Sequence, residues 1–563
     1  MKIIIKNFFT ILNEKFTKIF LLILFYSTKS FFEVLSIAML IPLVNFLFNK
    51  EIFNKFNFFI QEEYNIFFLE ETLIIIIILL FIFFFAVKSI MELLVIYINT
   101  KFVVNKQADL RIRLFKKTQI IDYRDLLKKT SAELIRNSQY LVNNFTKNLL
   151  SPILQITSEV ILIFGLIFFL LIQNNKYIFH IIFIGLTFLF IYKFFTKKIL
   201  INFGKDSNIA IKNIITTIQE SFYGFKEIRL YKLTTIFNNL LKKNSNIYAT
   251  NHLKISIIKI LPKYIFEILI IITLLFLFFN KTLTDNNYRD TNILNGSLIA
   301  QLAAVLRMIP FFNKLSATIV QLRNHTDTVK MLAEELKMTN ENYKFVNNKG
   351  NNFPNENFLN LSLKEISFSF DNKKVLNKLN LKIEKSQILG LYGPSGSGKT
   401  TLVDIICGLL IPNRGEMIFN NHISLNYNNI LCWQKYIAYV PQNTFLINDT
   451  VQNNIIISRN NFDLKKYKKS LIFAALKNEI NEKINIGEAG RNISGGQRKR
   501  IGIARAFYSE RPIIILDETL SELDKKNKEL IIKNIKNDKS RTLIIVSHDI
   551  SILKKCDKII KII

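Results

Sequence analysis

Residues 73–87 read LIIIIILLFIFFFAV, without one charged side chain. Such a segment has no polar face to offer water. A hydrocarbon bilayer takes about 20 apolar residues per helix, because every backbone amide must find its partner within the segment. Comparable runs recur through the first 310 residues and nowhere later. They predict six spans, at about 19–48, 73–98, 150–172, 177–195, 257–280 and 292–320. The N-terminus does not read as a cleavable signal peptide, since its apolar stretch runs past Ser30 to Phe48 with no small-residue cleavage site. Residues 1–18 place Lys2, Lys6, Lys15 and Lys18 among Ile and Phe, which predicts an amphipathic helix lying on the inner membrane face.

The 563 residues exceed one ordinary core. Half the chain is hydrophobic while 21% is charged, so charge and apolar surface must be segregated along it. The stretch 100–148 carries Lys101, Lys106, Arg111, Arg113, Lys116, Lys117, Arg124, Lys128, Lys129, Arg136 and Lys147. The stretch 194–254 is similarly basic, whereas 49–71 sets Lys50 and Lys55 against Glu51, Glu62, Glu63, Glu70 and Glu71. Basic loops stay in the cytoplasm, so both termini are expected there. Much of the net charge of +32 is thus a topology signal, and nucleic acid is not an expected partner. Three cysteines, Cys407, Cys432 and Cys556, form no CxxC, which excludes a disulfide framework or a zinc site as the organising feature.

Residues 333–360 are polar, Asn-rich and broken by Gly and Pro, a linker composition that divides a membrane domain (1–332) from a second domain (361–563). Beyond 360, short β-rich runs alternate with helical stretches, the pattern of an α/β domain with a parallel sheet. Its strongest signal is GPSGSGKT at 393–400, after an apolar strand at 388–392 and before a helix. In that context the glycines let backbone N–H groups wrap phosphates, and the helix N-terminus adds its positive end. Lys399 is expected to reach the β/γ-phosphates and Thr400 to hold Mg²⁺. The alternative is a plain Gly-rich turn. Further on, IIILDE at 513–518 predicts a buried strand ending in two carboxylates. Asp517 is placed to orient Mg²⁺ and Glu518 to act as general base for the attacking water.

Between them lies ISGGQ at 493–497, followed by RKRIGIAR. With these motifs the chain resembles the ATP-binding-cassette transporters, and the resemblance covers essentially its whole length. It implies an α-helical six-span membrane domain followed by an α/β P-loop cassette, with ATP and Mg²⁺ as cofactors. Gly393, Pro394, Ser395, Gly396, Ser397, Gly398, Lys399, Thr400 and Thr401 would hold the nucleotide. Phe370 matches the aromatic that stacks on adenine, and Gln442 the glutamine that senses Mg²⁺ and contacts the membrane domain. Gly487, Glu488, Ala489 and Gly490 match the loop that touches the coupling helices. Ser494, Gly495, Gly496 and Gln497 match the signature that closes on ATP held by a partner subunit. Ser521 to Asp524 matches the dimer-contact loop, and His548 the γ-phosphate switch histidine. The chain departs from the family at Thr519 and Glu522, where alanine is usual. Because the signature completes a site on another subunit, the resemblance implies a homodimer with two interfacial ATP molecules. The segments 122–137 and 222–233 look like its coupling helices.

Charges inside the spans are Lys29, Glu33, Lys88, Glu92, Glu159, Lys263, Glu267 and Arg307. Intramembrane charge is expensive and usually functional. Lys29–Glu33, Lys88–Glu92 and Lys263–Glu267 stand at i,i+4, where pairing along one helix face is the simpler reading. The surroundings of Lys88, Lys263 and Arg307 (AVKSIMELL, LPKYIFEIL, VLRMIP) resemble bacterial flippases of lipid-linked oligosaccharides used in protein glycosylation. There, basic residues at these places line the cavity and attract the substrate pyrophosphate. This chain has Lys at two positions where that family favours Arg, trading a bidentate fork for a point charge. Glu33 with Pro42 fits the same pattern. In the external segment 51–65, Phe53, Phe56, Phe59 and Ile60 share one helical face and look like the short helix that engages the lipid tail. A loop resting on the outer leaflet is the alternative.

The expectation is an ATP-hydrolysing exporter of the bacterial inner membrane, moving a lipid-linked glycan and touching membrane lipid. Export of a peptide, toxin or other lipid by the same machine is one rival. An ATP-gated channel or sensor is another, disfavoured by the presence of both Glu518 and His548.

Overall fold

The computed structural model describes residues 2–48, 58, 70–172, 178–284, 296–341, 356–371, 373–457, 462–477 and 479–562. Two compact units divide the chain: Met1–Gln119 with Lys129–Asn340, and Ile120–Lys128 with Glu341–Ile563.

The first unit is helical. Its N-terminal helix, Lys2–Leu12, does not merely lie on a surface: Ile11 is fully buried with Leu110, Leu141, Phe145 and Leu332. The first expected span is two helices, Phe16–Ala38 and Leu40–Phe48. The chain breaks at Met39, and Pro42 then sits in the first turn of the second helix, where its missing N–H costs nothing. The second and third expected spans fall within helices Glu70–Thr118 and Ser151–Ile172. The fifth falls within helix Thr234–Thr284, and the fourth and sixth overlap helices Ile178–Tyr223 and Gly296–Asn324, their first residues, 177 and 292–295, lying outside the described residues. Among the described residues, Thr17–Val44, Thr72–Thr118 and Ser131–Ile172 are long and apolar enough to cross a membrane.

Helix Glu70–Thr118 turns Ile75, Leu79, Ile82 and Phe83 outward, each more than half exposed. Apolar surface of that extent belongs against lipid. Inside, Leu162, Leu166 and Leu170 pack with Ala304, Met308 and Phe312, and the Phe266 and Phe312 rings stack at 5.0 Å. The expected linker, 333–360, is helical at its start: helix Thr326–Glu341 runs through 333–341, and Ala333 and Leu336 are buried in the helical core. Residues 342–355 and nearly all of the expected external helix at 51–65 lie outside the described residues.

Among its described residues the second unit contains two sheets. The antiparallel one orders β2 (Lys373–Glu384), β1 (Asn360–Phe370), β4 (Arg414–Phe419) and β5 (Ile423–Leu425). The parallel one orders β6 (Ile437–Val440), β7 (Ile513–Asp517), β8 (Thr542–Val546), β3 (Ile388–Tyr392) and β9 (Lys558–Lys561). Strands β7 and β8 are buried at every position, which is why their sequences run Ile-Ile-Ile-Leu and Leu-Ile-Ile-Val instead of alternating. Each side of this sheet has its own core. One centres on Trp433, Phe419 and Leu402, the other on Ile503, Phe507 and Ile531. The short segment Ile120–Lys128 belongs to this unit: Tyr123 packs on the first core and Lys128 Nζ lies 3.3 Å from Asp371.

Candidate nucleotide site

The loop between β3 and helix Lys399–Ile406 is shaped by close approach and by one backbone angle. A Cβ at Gly393 would lie 2.2 Å from the Ile562 carbonyl oxygen, so only glycine fits. Gly398 caps the helix at φ +89°, in the left-handed region where a side chain is strained. The loop bends tightly enough that the buried Lys399 ammonium donates to the carbonyls of Gly393 (2.9 Å) and Pro394 (2.8 Å). Ser397 Oγ is buried beside it without a hydrogen-bond partner. Thr400 stands exposed in the first helical turn, while Thr401 is buried. Pro394, Ser395 and Gly396 form the exposed rim.

Three motifs far apart in sequence converge beside this loop. Asp517 ends β7, and Tyr439, from the neighbouring β6, donates its hydroxyl to Asp517 Oδ2 at 3.0 Å. Burial raises the Asp517 pKa, with the Glu518 charge adding to it; the Tyr439 hydrogen bond and Lys399 oppose the rise. Glu518 follows at φ +50°, a strained turn that swings its carboxylate out of the sheet. Gln442 Nε2 donates to Glu518 Oε2 at 3.0 Å, and His548 Nε2 lies 3.1 Å from Glu518 Oε1. The carboxylate is thus gripped from both sides, by the loop after β6 and the loop after β8.

The family departure at Thr519 is accommodated without disturbance. Its fully buried hydroxyl is 3.2 Å from the carbonyl oxygens of Val440 and Asp517. Asp524 caps helix Lys525–Asn537, accepting from the Asn527 backbone at 3.1 Å and from its side chain at 2.9 Å. Those two bonds hold its carboxyl below the usual range. Phe370 is half-buried at the end of β1, edge-on to Phe368 at 4.9 Å.

Ser494 and Gln497 cap helix Gly495–Tyr508 reciprocally, Gln497 N to Ser494 Oγ at 3.1 Å and Ser494 N to Gln497 Oε1 at 3.0 Å. A Cβ at Gly495 would meet nothing within 4 Å, and one at Gly496 only Leu523, at 3.8 Å. Nothing in the chain's own packing asks for glycine at either place. After Gln442, the exposed Phe445 and Ile447, with Glu488 and Arg498, line a groove of about 500 Å³.

Two partners in the site were not singled out from the sequence. One is Tyr439, whose place on the strand beside β7 was the available signal. The other is Asp404, one helical turn beyond Thr400; burial first, then the Asp517 charge, pushes its carboxyl up to about 6.

The three basic residues assigned to a substrate cavity have different surroundings. Arg307 is bound to Glu33 from another helix and lies 3.7 Å from Glu159 on a third. Lys29 joins the same two carboxylates at 3.7 and 3.9 Å, and Lys314 reaches Glu159 at 2.5 Å. Glu33 and Glu159 are almost wholly buried, so this is an ion network tying three helices together. Lys263 pairs with Glu267 at 3.9 Å on an exposed face, and Lys88 lies 4.7 Å from the centre of the Phe85 ring. The simple i,i+4 pairing expected for Lys29 is therefore one edge of a larger cluster.

The sequence profile of the ABC transporter family matches residues 376–521. The ATP-dependent lipid A-core flippase of Francisella tularensis subsp. holarctica is 26% identical over 451 residues, covering 77% of this chain and 71% of that protein. A probable ABC transporter ATP-binding/permease protein of Haemophilus influenzae is 34% identical over 208 residues, 36% of this chain and 38% of its own. A bacterial Atm1-family ABC exporter solved with ATP bound shares the fold, with a TM-score of 0.76 and 15% identity, over 97% of this chain and 93% of that one.

Proposed function

We propose that this chain, which is an ATP-binding-cassette transporter of the exporter type, flips a lipid-linked, phosphate-bearing glycan across the bacterial inner membrane as a homodimer. It is a multi-pass membrane protein and an ATPase coupled to transport. Both termini would face the cytoplasm, as the basic loops suggest.

The observation that carries the reading is the asymmetry within one cassette. Glu518 is gripped by Gln442 and His548, ready to accept a proton from water, while the signature glycines of the same chain face open space. A cassette so arranged lacks a cover for its own phosphate loop and has an edge to cover another. Lys399 would leave its carbonyl partners for the β/γ-phosphates, and Phe370 would meet the adenine. Thr400, Gln442 and Asp517 supply the hard oxygen donors that suit Mg²⁺, with Ser397 Oγ still lacking a partner nearby. When bound with nucleotide, Mg²⁺ neutralises charge developing on the phosphate oxygens. His548 would steady Glu518 and contact the γ-phosphate. Closure would then be relayed to the spans through the segments 122–137 and 222–233. Support for the second of these is its tip, where Phe222, Tyr223, Leu230 and Tyr231 are strongly exposed.

Lys88, Lys263 and Arg307 remain the cations for the substrate's phosphates. An anion reaching Arg307 would compete with Glu33 and Glu159 for it. A second reading, a lipid A-core substrate, is favoured by the Francisella relative. Reconstitution in liposomes with a tagged polyprenyl-pyrophosphate glycan in one arm and a tagged lipid A-core in another tests both. ATP-dependent movement of the first, abolished in Glu518→Gln, is the expected result. Movement of the second alone would replace the substrate assignment, and movement of neither would leave peptide export.

A further inference from the structure

The dimer loop and the signature helix are joined within one chain. Lys499 Nζ lies 2.6 Å from a Glu522 carboxylate oxygen. The lysine side chain is 7% exposed and the glutamate 61%. Beside them Leu523 packs into the core and approaches Gly496. An ammonium this buried is costly unless it is paired. Among the described residues Glu522 is the carboxylate within ion-pair range of it. Lys499 lies one helical turn beyond Gly495, so the pair ties the loop to the first turns of the signature helix. The next residue, Arg500, fastens the helix elsewhere, to the Ala475 carbonyl at 2.7 Å and to Glu479 at 2.5 Å.

We infer that Glu522 and Lys499 form a latch that holds the dimer loop and the signature edge as one rigid surface, making Glu522 a positioning residue for closure over a second copy's nucleotide. The inference rests on the dimeric reading above. The alanine usual at this place has no charge to offer, so in this chain the latch comes with the departure itself. With the latch made, Ser494, Gly495 and Asp524 arrive together. Without it the loop and the edge dock separately, and closure needs more nucleotide to drive it. Since closure sets how tightly ATP is retained, the effect falls on KM for ATP and leaves kcat nearly alone.

The test is an ATP titration of turnover by the full-length protein in lipid nanodiscs, for wild type, Lys499→Met, Glu522→Ala, the double variant and Lys499→Arg. Lys499→Met removes the latch without leaving a buried charge, so it is expected to keep its melting temperature. Its KM for ATP is expected to rise by about three- to ten-fold, the size of effect open to a half-exposed ion pair. The double variant should match Lys499→Met, because both changes break one contact. Lys499→Arg should hold KM near wild type. An unchanged KM in Lys499→Met, or single effects that multiply in the double variant, would overturn the latch while leaving the transporter reading intact. A wild type whose turnover is indifferent to Glu518→Gln would remove that reading and the latch with it.

Discussion

The Gln442 amide donates to Glu518 Oε2 across 3.0 Å, a bond between residues that lie on loops following adjacent strands of the parallel sheet. With His548 on the opposite oxygen, the carboxylate has its orientation fixed before any substrate arrives. A general base contributes about 10²- to 10⁴-fold when so placed. Glu518→Gln should therefore lose ATP turnover by that order while still binding nucleotide, as read by steady-state hydrolysis beside a nucleotide-binding measurement. Gln442→Ala should lose less, because the His548 contact persists. Equal turnover in Glu518→Gln would remove the base assignment.

Gly495 gives a sharper separation of folding from function. Its added Cβ meets open space within the chain, and alanine is a better helix former than glycine by roughly 0.5–1 kcal/mol. Gly495→Ala should melt at the same temperature as wild type or slightly higher, yet hydrolyse ATP poorly. A variant that gains stability and keeps full turnover would mean that no second surface approaches this edge.

Asp404 predicts a pH dependence of stability. Its carboxyl titrates near 6 in the folded chain against an ordinary value of 3.8. Between those values the unfolded chain has released the proton that the folded chain still holds. Stability due to this group therefore falls as pH rises from about 4 to 6 and stays low above that. Asp404→Asn should raise the melting temperature at pH 7.5 and leave it nearly unchanged at pH 4, by calorimetry at both pH values. The opposite ordering would contradict the sign.

In the membrane unit, Glu159 touches Lys29, Arg307 and Lys314, and is 2% exposed. Removing its charge leaves Glu33 as the carboxylate that Lys29 and Arg307 share, and takes from Lys314 its ion pair with Glu159. Breaking a buried pair in this way costs about 3–5 kcal/mol. Lys314 is 42% exposed, so Lys314→Met should cost under about 1 kcal/mol. Thermal unfolding in detergent should rank Glu159→Gln well below Lys314→Met.

The cassette was the more legible half because its groups sit in local motifs. Lys399 is announced by the glycines before it, and Glu518 by the buried strand that it ends. Convergence of Gln442, Glu518 and His548 follows once three such strands lie in one parallel sheet. Thr519 and Glu522 could be seen as departures, but their contacts could not, since Val440 and Lys499 are distant in sequence. The ion network was least legible. Glu33 and Arg307 are 274 residues apart, and helices apolar on every side carry no periodicity that says which face turns inward. Lys314, in the second half of its helix, carries no signal for the same reason. The break at Met39 had a visible signal in Pro42, which an uninterrupted hydropathy run conceals.

Helix Glu70–Thr118 has 49 residues and no proline within it. At 1.5 Å per residue it is about 73 Å long, against a hydrocarbon thickness of about 30 Å, so beyond its expected span at 73–98 the same helix runs on for about 30 Å as a stiff rod. A tilt of about 10° where it meets lipid sweeps its far tip through about 5 Å, more than the length of a hydrogen bond. Such leverage means that a modest rocking among the spans is geared up into a stroke large enough to make or break contacts one by one, with no melting of the shaft in between.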